Sequence, residues 1–216
     1  MPFSSSVQAV SGESALSGGA TDRAIDALLM GINWGTSVFH VGQYCGRWRA
    51  STESKALASF HLVLRGHCWL HRPGLPSFRL ASGSGVFLMR DAAHFLSPYE
   101  DAAIDCSVQP MARLTSELDD IGSTGLACGF FNYDGPMQGI VASWMPDALM
   151  LAADDPATAG TGALFALMRQ EAIDCPVEGS PLLDRLAGLL FFYVLRAAAR
   201  AGKVIGGPLA MLRSPV

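Results

Sequence analysis

Four side chains with metal-binding or redox chemistry, His61, Cys68, His94 and Cys128, fall in four separate parts of an apolar, strand-like region. Mixed imidazole and thiolate donors favour zinc in a closed four-coordinate site, structural or sensing rather than hydrolytic. Metal-bound thiolates are oxidisable, so the same set admits redox sensing, with Cys45 as a reserve ligand or resolving thiol. A second account stays open: Cys68 and Cys128 are buried thiols of a core, and His61 and His94 make hydrogen bonds at a barrel mouth.

The stretch that must position them runs from Phe60 to His94, where short Val/Leu/Phe-rich runs alternate with Gly, Pro and Ser at the spacing of antiparallel strands. As one unbroken strand, Phe60 to Leu70 would put Phe60, Leu62, Leu64, Cys68 and Leu70 on one face and His61, Val63, Arg65, His67 and Trp69 on the other. His61 and Cys68 then point apart. They converge only if Gly66 forms a bulge that switches the side-chain parity.

The remaining elements read in order. Residues 1–20 form a disordered tail. Thr21 or Asp22 caps a helix to Met30 with Ile25, Leu28 and Leu29 on one face. Trp34 to Trp48 fits two short strands around tight turns, Pro73 to Pro76 turns the chain toward a strand at Ser77 to Leu80, and Val86 to Met89 is the strand before the His94 loop. The segment after His94 is irregular, with one helical turn near Met111 to Leu118, before Leu126 to Tyr133 returns to strand character. The β-rich part ends near Asp155. Thr161 caps a helix to Ala172; Ser180, with Pro181 at the first helical position, starts another to about Ala201, stopped by Gly202. That last helix is apolar nearly all round, which predicts burial against its own domain and contact with a second subunit. The domains are therefore a barrel over 21–155, a helical dimerisation part over 156–203 and a linker over 204–216.

Composition narrows the function. Half of the 216 residues are apolar and 16% are charged, enough for a sizeable core. A net charge of −4 with singly scattered Lys and Arg leaves no stripe for phosphates, so the chain by itself binds no nucleic acid. Five widely spaced cysteines fit reduced thiols in a cytoplasm. The most apolar run, Leu186 to Leu195, is too short to cross a bilayer. No G-x-S-x-G elbow, Walker loop or G-x-G-x-x-G fingerprint is present. Trp48, Trp69 and Phe131 are candidates to line an apolar small-molecule pocket.

Gly83, Met89, Asp91 and His94 stand at the spacing of the second cupin motif, with Met89 and Asp91 replacing its Pro and inner Gly. With Phe60-His61-Leu62-Val63-Leu64-Arg65-Gly66-His67-Cys68-Trp69-Leu70, His94-Phe95-Leu96, Cys128-Gly129-Phe130-Phe131 and Met145-Pro146, the ordered set resembles the N-terminal cupin domain of AraC-type transcriptional regulators. The resemblance also takes in the opening DRAIDALL and the closing LLDRLAGLLFFYVLRA. It implies a mainly β fold with appended helices (α+β): a cupin-like antiparallel β-barrel followed by C-terminal helices. It also implies a non-enzymatic module that senses a small-molecule or metal effector and forms a homodimer, DNA being bound by a further helix-turn-helix part that this chain lacks. Cupin enzymes carry an H-x-H pair and a Glu, and the matching positions here are Glu53, Lys55 and Ser59. The alternative, a stand-alone metal-dependent cupin isomerase or dioxygenase, therefore lacks its usual ligand set.

Overall fold

The computed structural model describes residues 34–55, 58–116, 122–133, 143–175 and 180–204, together with 23, 24, 26, 27, 30 and 206; at 132 and 133 it describes the backbone only. The expected tail over 1–20, the Ile25/Leu28/Leu29 face and nearly all of the expected linker beyond Val204 lie outside the described residues. Arg23, Ala24, Asp26, Ala27 and Met30 are helical, in line with the opening helix.

Among the described residues, eight strands form two antiparallel sheets. The strands are β1 (Trp34–Tyr44), β2 (Ala58–Arg65), β3 (His67–His71), β4 (Phe78–Ala81), β5 (Gly85–Leu88), β6 (Phe95–Ser97), β7 (Thr124–Tyr133) and β8 (Ala148–Leu151). The larger sheet has the order β1-β7-β2-β5-β8 and the smaller β4-β3-β6. A 3-10 turn (Pro156–Thr158) then leads to α1 (Thr161–Asp174) and α2 (Pro181–Arg200).

Gly66 decides how the sheets meet. It takes φ +72°, where an L side chain is strained, and a Cβ there would lie 2.4 Å from the Ser123 carbonyl oxygen. The β2–β7 register also shifts between Val63 and Arg65. The chain so leaves the larger sheet and enters the smaller one with its parity switched. Val63 from β2 and Cys68 and Leu70 from β3 share the cluster between the sheets, with Trp48, Leu80, Val86, Leu88, Leu96, Leu126 and Cys128. Phe60, Leu62 and Leu64 face the other way, into a second cluster with Phe131, Phe165, Met168, Leu190 and Phe191 of the helices.

Helix α2 seals that outer face. Ser180 caps it by accepting the Leu183 N–H at 3.4 Å, and Pro181 fills the first turn where no donor is needed. Asp184 then ties the helix to β1: its Oδ1 accepts the Val38 N–H at 2.6 Å, and its carbonyl accepts the Thr36 hydroxyl. Val38 needs this acceptor because the β1–β7 register breaks between Val38 and His40. Phe191 stacks on Phe131 with centroids 4.1 Å apart. Full burial of such a side chain contributes about 1.5–3 kcal/mol. Leu182 and Leu189 on the far side stay 50% and 44% exposed, so the helix is buried on one side only.

Four expectations are corrected. Trp34 to Trp48 is one long strand ending at Tyr44, because pairing with β7 carries it through its glycines. Phe60 to Leu70 is two strands, divided at Gly66. Thr161 lies inside α1 and caps nothing; Gly160 holds the cap position, and the Thr161 hydroxyl donates to the Thr158 carbonyl at 2.8 Å. Met111 to Ser116 is not helical, because Ala112 pairs with Gln43 through two 2.8 Å backbone hydrogen bonds; residues 117–120 lie outside the described set.

Candidate functional site

The parity switch brings His61 inside the barrel, where β7 and the loop before β6 supply its partners. His61 Nδ1 lies 3.0 Å from Cys128 Sγ, and its Nε2 lies 2.9 Å from His94 Nε2. His94 Nδ1 lies 2.7 Å from the Ala92 carbonyl oxygen, an atom that can only accept. With both rings neutral, as burial favours, these partners assign the tautomers. His94 carries its proton on Nδ1, so its Nε2 accepts from His61 Nε2–H, and His61 Nδ1 in turn accepts the Cys128 S–H. Thr52 stands beside the junction, 3.3 Å from His61 Nε2 and 3.2 Å from His94 Nε2, and donates to Ser59 Oγ at 2.7 Å. Cys128, His61, His94 and Ala92 form one directed chain.

Burial sets the protonation of every member. Loss of water pushes His61 down from 6.5 to about 3, with the facing His94 adding to the effect. Burial also lowers His94. The Cys128 thiol is raised by burial to about 12, and Cys68 is raised by burial and by the neighbouring Cys128. The thiols are neutral donors here, not activated nucleophiles.

Three of the four expected metal ligands, Cys128, His61 and His94, are placed as a line rather than around a point, and Cys68 is buried in the same cluster as Cys128. The two Nε2 atoms and the Thr52 hydroxyl converge, but Cys128 sits at the opposite edge of the His61 ring. Among the described residues no group of three His, Cys, Asp or Glu side chains is disposed to hold a metal ion. In this arrangement the donors do not fit a closed tetrahedral zinc site. The Gly66 switch required for His61 and Cys68 to face the same interior is present nonetheless.

The three aromatic residues expected in one pocket are separated. Trp48 is fully buried between the sheets and stacked on Tyr44 at 4.8 Å; Phe131 is buried on the helix side of the larger sheet. Trp69 is half-buried on β3, where its neighbours along the strand, Cys68 and Leu70, face the interior. None of the three lines either described cavity. Cys45 is exposed in the loop after β1.

One of those cavities, about 440 Å³, opens at the barrel mouth above His94. Arg49, Glu53 and Arg72 line it with His71. Arg49 lies 3.8 Å over the Phe95 ring, and Phe95 stacks on His71 at 4.4 Å. Sequence reasoning missed Thr52, Arg49 and Arg72, which stand in loops or at strand ends where no periodicity marks them. The Arg72-Pro73-Gly74 turn was the one available signal.

A family model described as cupin matches residues 23–200. No curated protein matches the chain. Among solved structures, ToxT from Vibrio cholerae O395 is similar at 10% identity over 81% of this chain and 58% of its own, with a TM-score of 0.40. The same protein bound to (E)-4-(8-methylnaphthalen-1-yl)but-3-enoic acid is similar at 11% identity, 74% and 54% coverage and a TM-score of 0.36. The chain thus spans less than two thirds of the length of these proteins. With a match that runs from Arg23 to Arg200, through the barrel, α1 and α2, the chain belongs to the cupin family.

Proposed function

We propose that the chain is the effector-sensing and dimerisation domain of an AraC-type transcriptional regulator, working in the cytoplasm and without enzymatic turnover of its effector. The observation that carries this reading is the closed hydrogen-bond chain through Cys128, His61 and His94. Its donors and acceptors are matched to one another, and its thiol is neutral and 3% exposed. An interior built this way holds a shape; it offers no activated nucleophile to a substrate. The ordered sequence phrases shared with AraC-type cupin domains support the regulatory role, and Leu182 and Leu189 on α2 supply an apolar stripe for a second subunit.

Signal transfer in this reading is a shift between two arrangements of α2, whose N-terminal turn is held to β1 by Asp184. The test is a thermal-denaturation screen of the purified chain against small molecules, with sedimentation to follow dimerisation. A ligand that raises Tm and alters the dimer equilibrium without being consumed supports the reading; conversion of the ligand to product overturns it.

A second reading keeps zinc at His61, Cys68, His94 and Cys128. The convergence of two Nε2 atoms favours it, and it requires Cys128 to move from the Nδ1 edge of the His61 ring toward that junction. Near-stoichiometric zinc in purified protein, lost in His94→Ala and in Cys128→Ser, would carry it; folded protein without zinc leaves the hydrogen-bonded chain.

A further inference from the structure

The cavity at the barrel mouth has the features of a built anion site. Arg72 opens a turn with Pro73 and Gly74, closed by the Leu75 N–H on the Arg72 carbonyl at 3.1 Å, with Gly74 at φ +72°. Pro followed by a positive-φ Gly is the type II pattern, so the backbone that carries Arg72 is fixed. Arg49, also in the lining, is held over the Phe95 ring at 3.8 Å. Phe95 is backed by His71, whose Nε2 and Nδ1 are each 2.9 Å from a serine oxygen, of Ser97 and Ser77 respectively. Neither guanidinium forms an ion pair among the described residues.

The charges around the cavity set the valence of what fits. Burial lowers both histidines of the lining and so favours their neutral forms: Ser97 donates to the Tyr99 carbonyl and accepts from His71 Nε2–H, and His94 is committed to Ala92 and His61. Two guanidinium groups against the Glu53 carboxylate leave one positive charge in the lining. Asp91 and Asp101 stand near His94 and His71 and hold the Ser54 and Ala103 N–H groups at 2.9 Å. Those two carboxylates stand outside the lining, and a second negative charge, beyond the one the lining balances, would face them and Glu53 together. A single negative charge is balanced. The rest of the lining includes Pro73, Ala93 and the 54% exposed Leu75, an apolar rim that a ligand body would cover.

We propose that this cavity binds a small organic monocarboxylate, its carboxylate held between Arg49 and Arg72 and its apolar body against Leu75 and Phe95. The proposal rests on the sensor reading and names the chemical class of its effector. Planar carboxylate and guanidinium groups pair through two parallel hydrogen bonds, which gives the site both affinity and orientation.

The test is calorimetric titration of the whole chain with sodium benzoate, with its uncharged counterpart benzamide and with sodium phosphate. Benzoate is expected to bind in the millimolar range or tighter, and benzamide and phosphate at least about tenfold more weakly. Arg49→Gln and Arg72→Gln should each weaken benzoate by about tenfold or more with Tm unchanged. Glu53→Gln should tighten benzoate and admit phosphate, a gain that a merely structural role for Glu53 does not produce. Equal binding of benzoate and benzamide, unchanged affinity in Arg72→Gln, or no benzoate binding by folded protein would each overturn the carboxylate assignment. A neutral effector that emerges from the thermal screen while benzoate fails would leave the sensor reading standing, so the two failures are distinguishable.

Discussion

His61 and His94 meet Nε2 to Nε2 at 2.9 Å, and a single proton lies between them. Because His94 gives its own proton to the Ala92 carbonyl, the shared proton belongs to His61. Adding a second proton at the junction would make His94 a buried cation and set its Nε2–H against His61 Nε2–H.

Stability should therefore fall in acid. His61 titrates at 6.5 when unfolded and is pushed down to about 3 when folded. A base with a depressed folded pKa contributes stability that is complete above the unfolded value and is lost as pH falls from there toward the folded value. The loss is on the order of 1 kcal/mol per pH unit across that window. Urea unfolding at a series of pH values checks it, and His61 ring resonances should stay unshifted through the ordinary histidine range.

Replacing His94 by Leu removes the acceptor and leaves His61 Nε2–H with only Thr52 Oγ1, 3.3 Å away. The expected loss is about 1–3 kcal/mol by chemical denaturation. His94→Gln, which keeps an acceptor, should lose less.

Asp184→Ala should loosen α2 from β1. The variant loses a charged acceptor at 2.6 Å from Val38 N and exposes a bulge without a partner, a cost of about 1.5–3 kcal/mol. Hydrogen exchange gives the specific readout: the Val38 amide loses protection ahead of the β7 amides.

Gly129 is required by close packing. A Cβ there would sit 2.2 Å from Phe60 Cζ and 2.4 Å from the Ser37 carbonyl oxygen. Gly129→Ala should cost about 1–3 kcal/mol by overpacking. Adding Phe60→Leu should recover part of it, because the ring contact is relieved and the Ser37 contact is not.

What was legible in the sequence follows from local physics. The strand runs around Ser77 to Leu80, Val86 to Met89 and Leu126 to Tyr133, the Ser180-Pro181 helix start and the Gly202 stop are short-range signals, and a strand or a helix end stands at each. The need for a switch at Gly66 was also legible, since only a parity change lets His61 and Cys68 share a face. Pairing across the sheet was not: β1 runs unbroken through Gly35 and Gly42 because β7 supports it, and Ala112 is recruited to Gln43. Phe131 takes the helix face of β7, which long-range register sets, while Trp48 lies in the segment after β1 and is buried between the sheets. Thr52, Arg49 and Arg72 come together through loops, where spacing carries no information.

The most direct test of a closed, neutral interior is long-range ¹H–¹⁵N imidazole spectroscopy at neutral pH, before and after treatment with a chelator. The account predicts His61 protonated on Nε2, His94 protonated on Nδ1, and no change on chelation. Unprotonated Nε2 on both rings, with a pattern that collapses on chelation, would contradict it and establish a metal between His61 and His94.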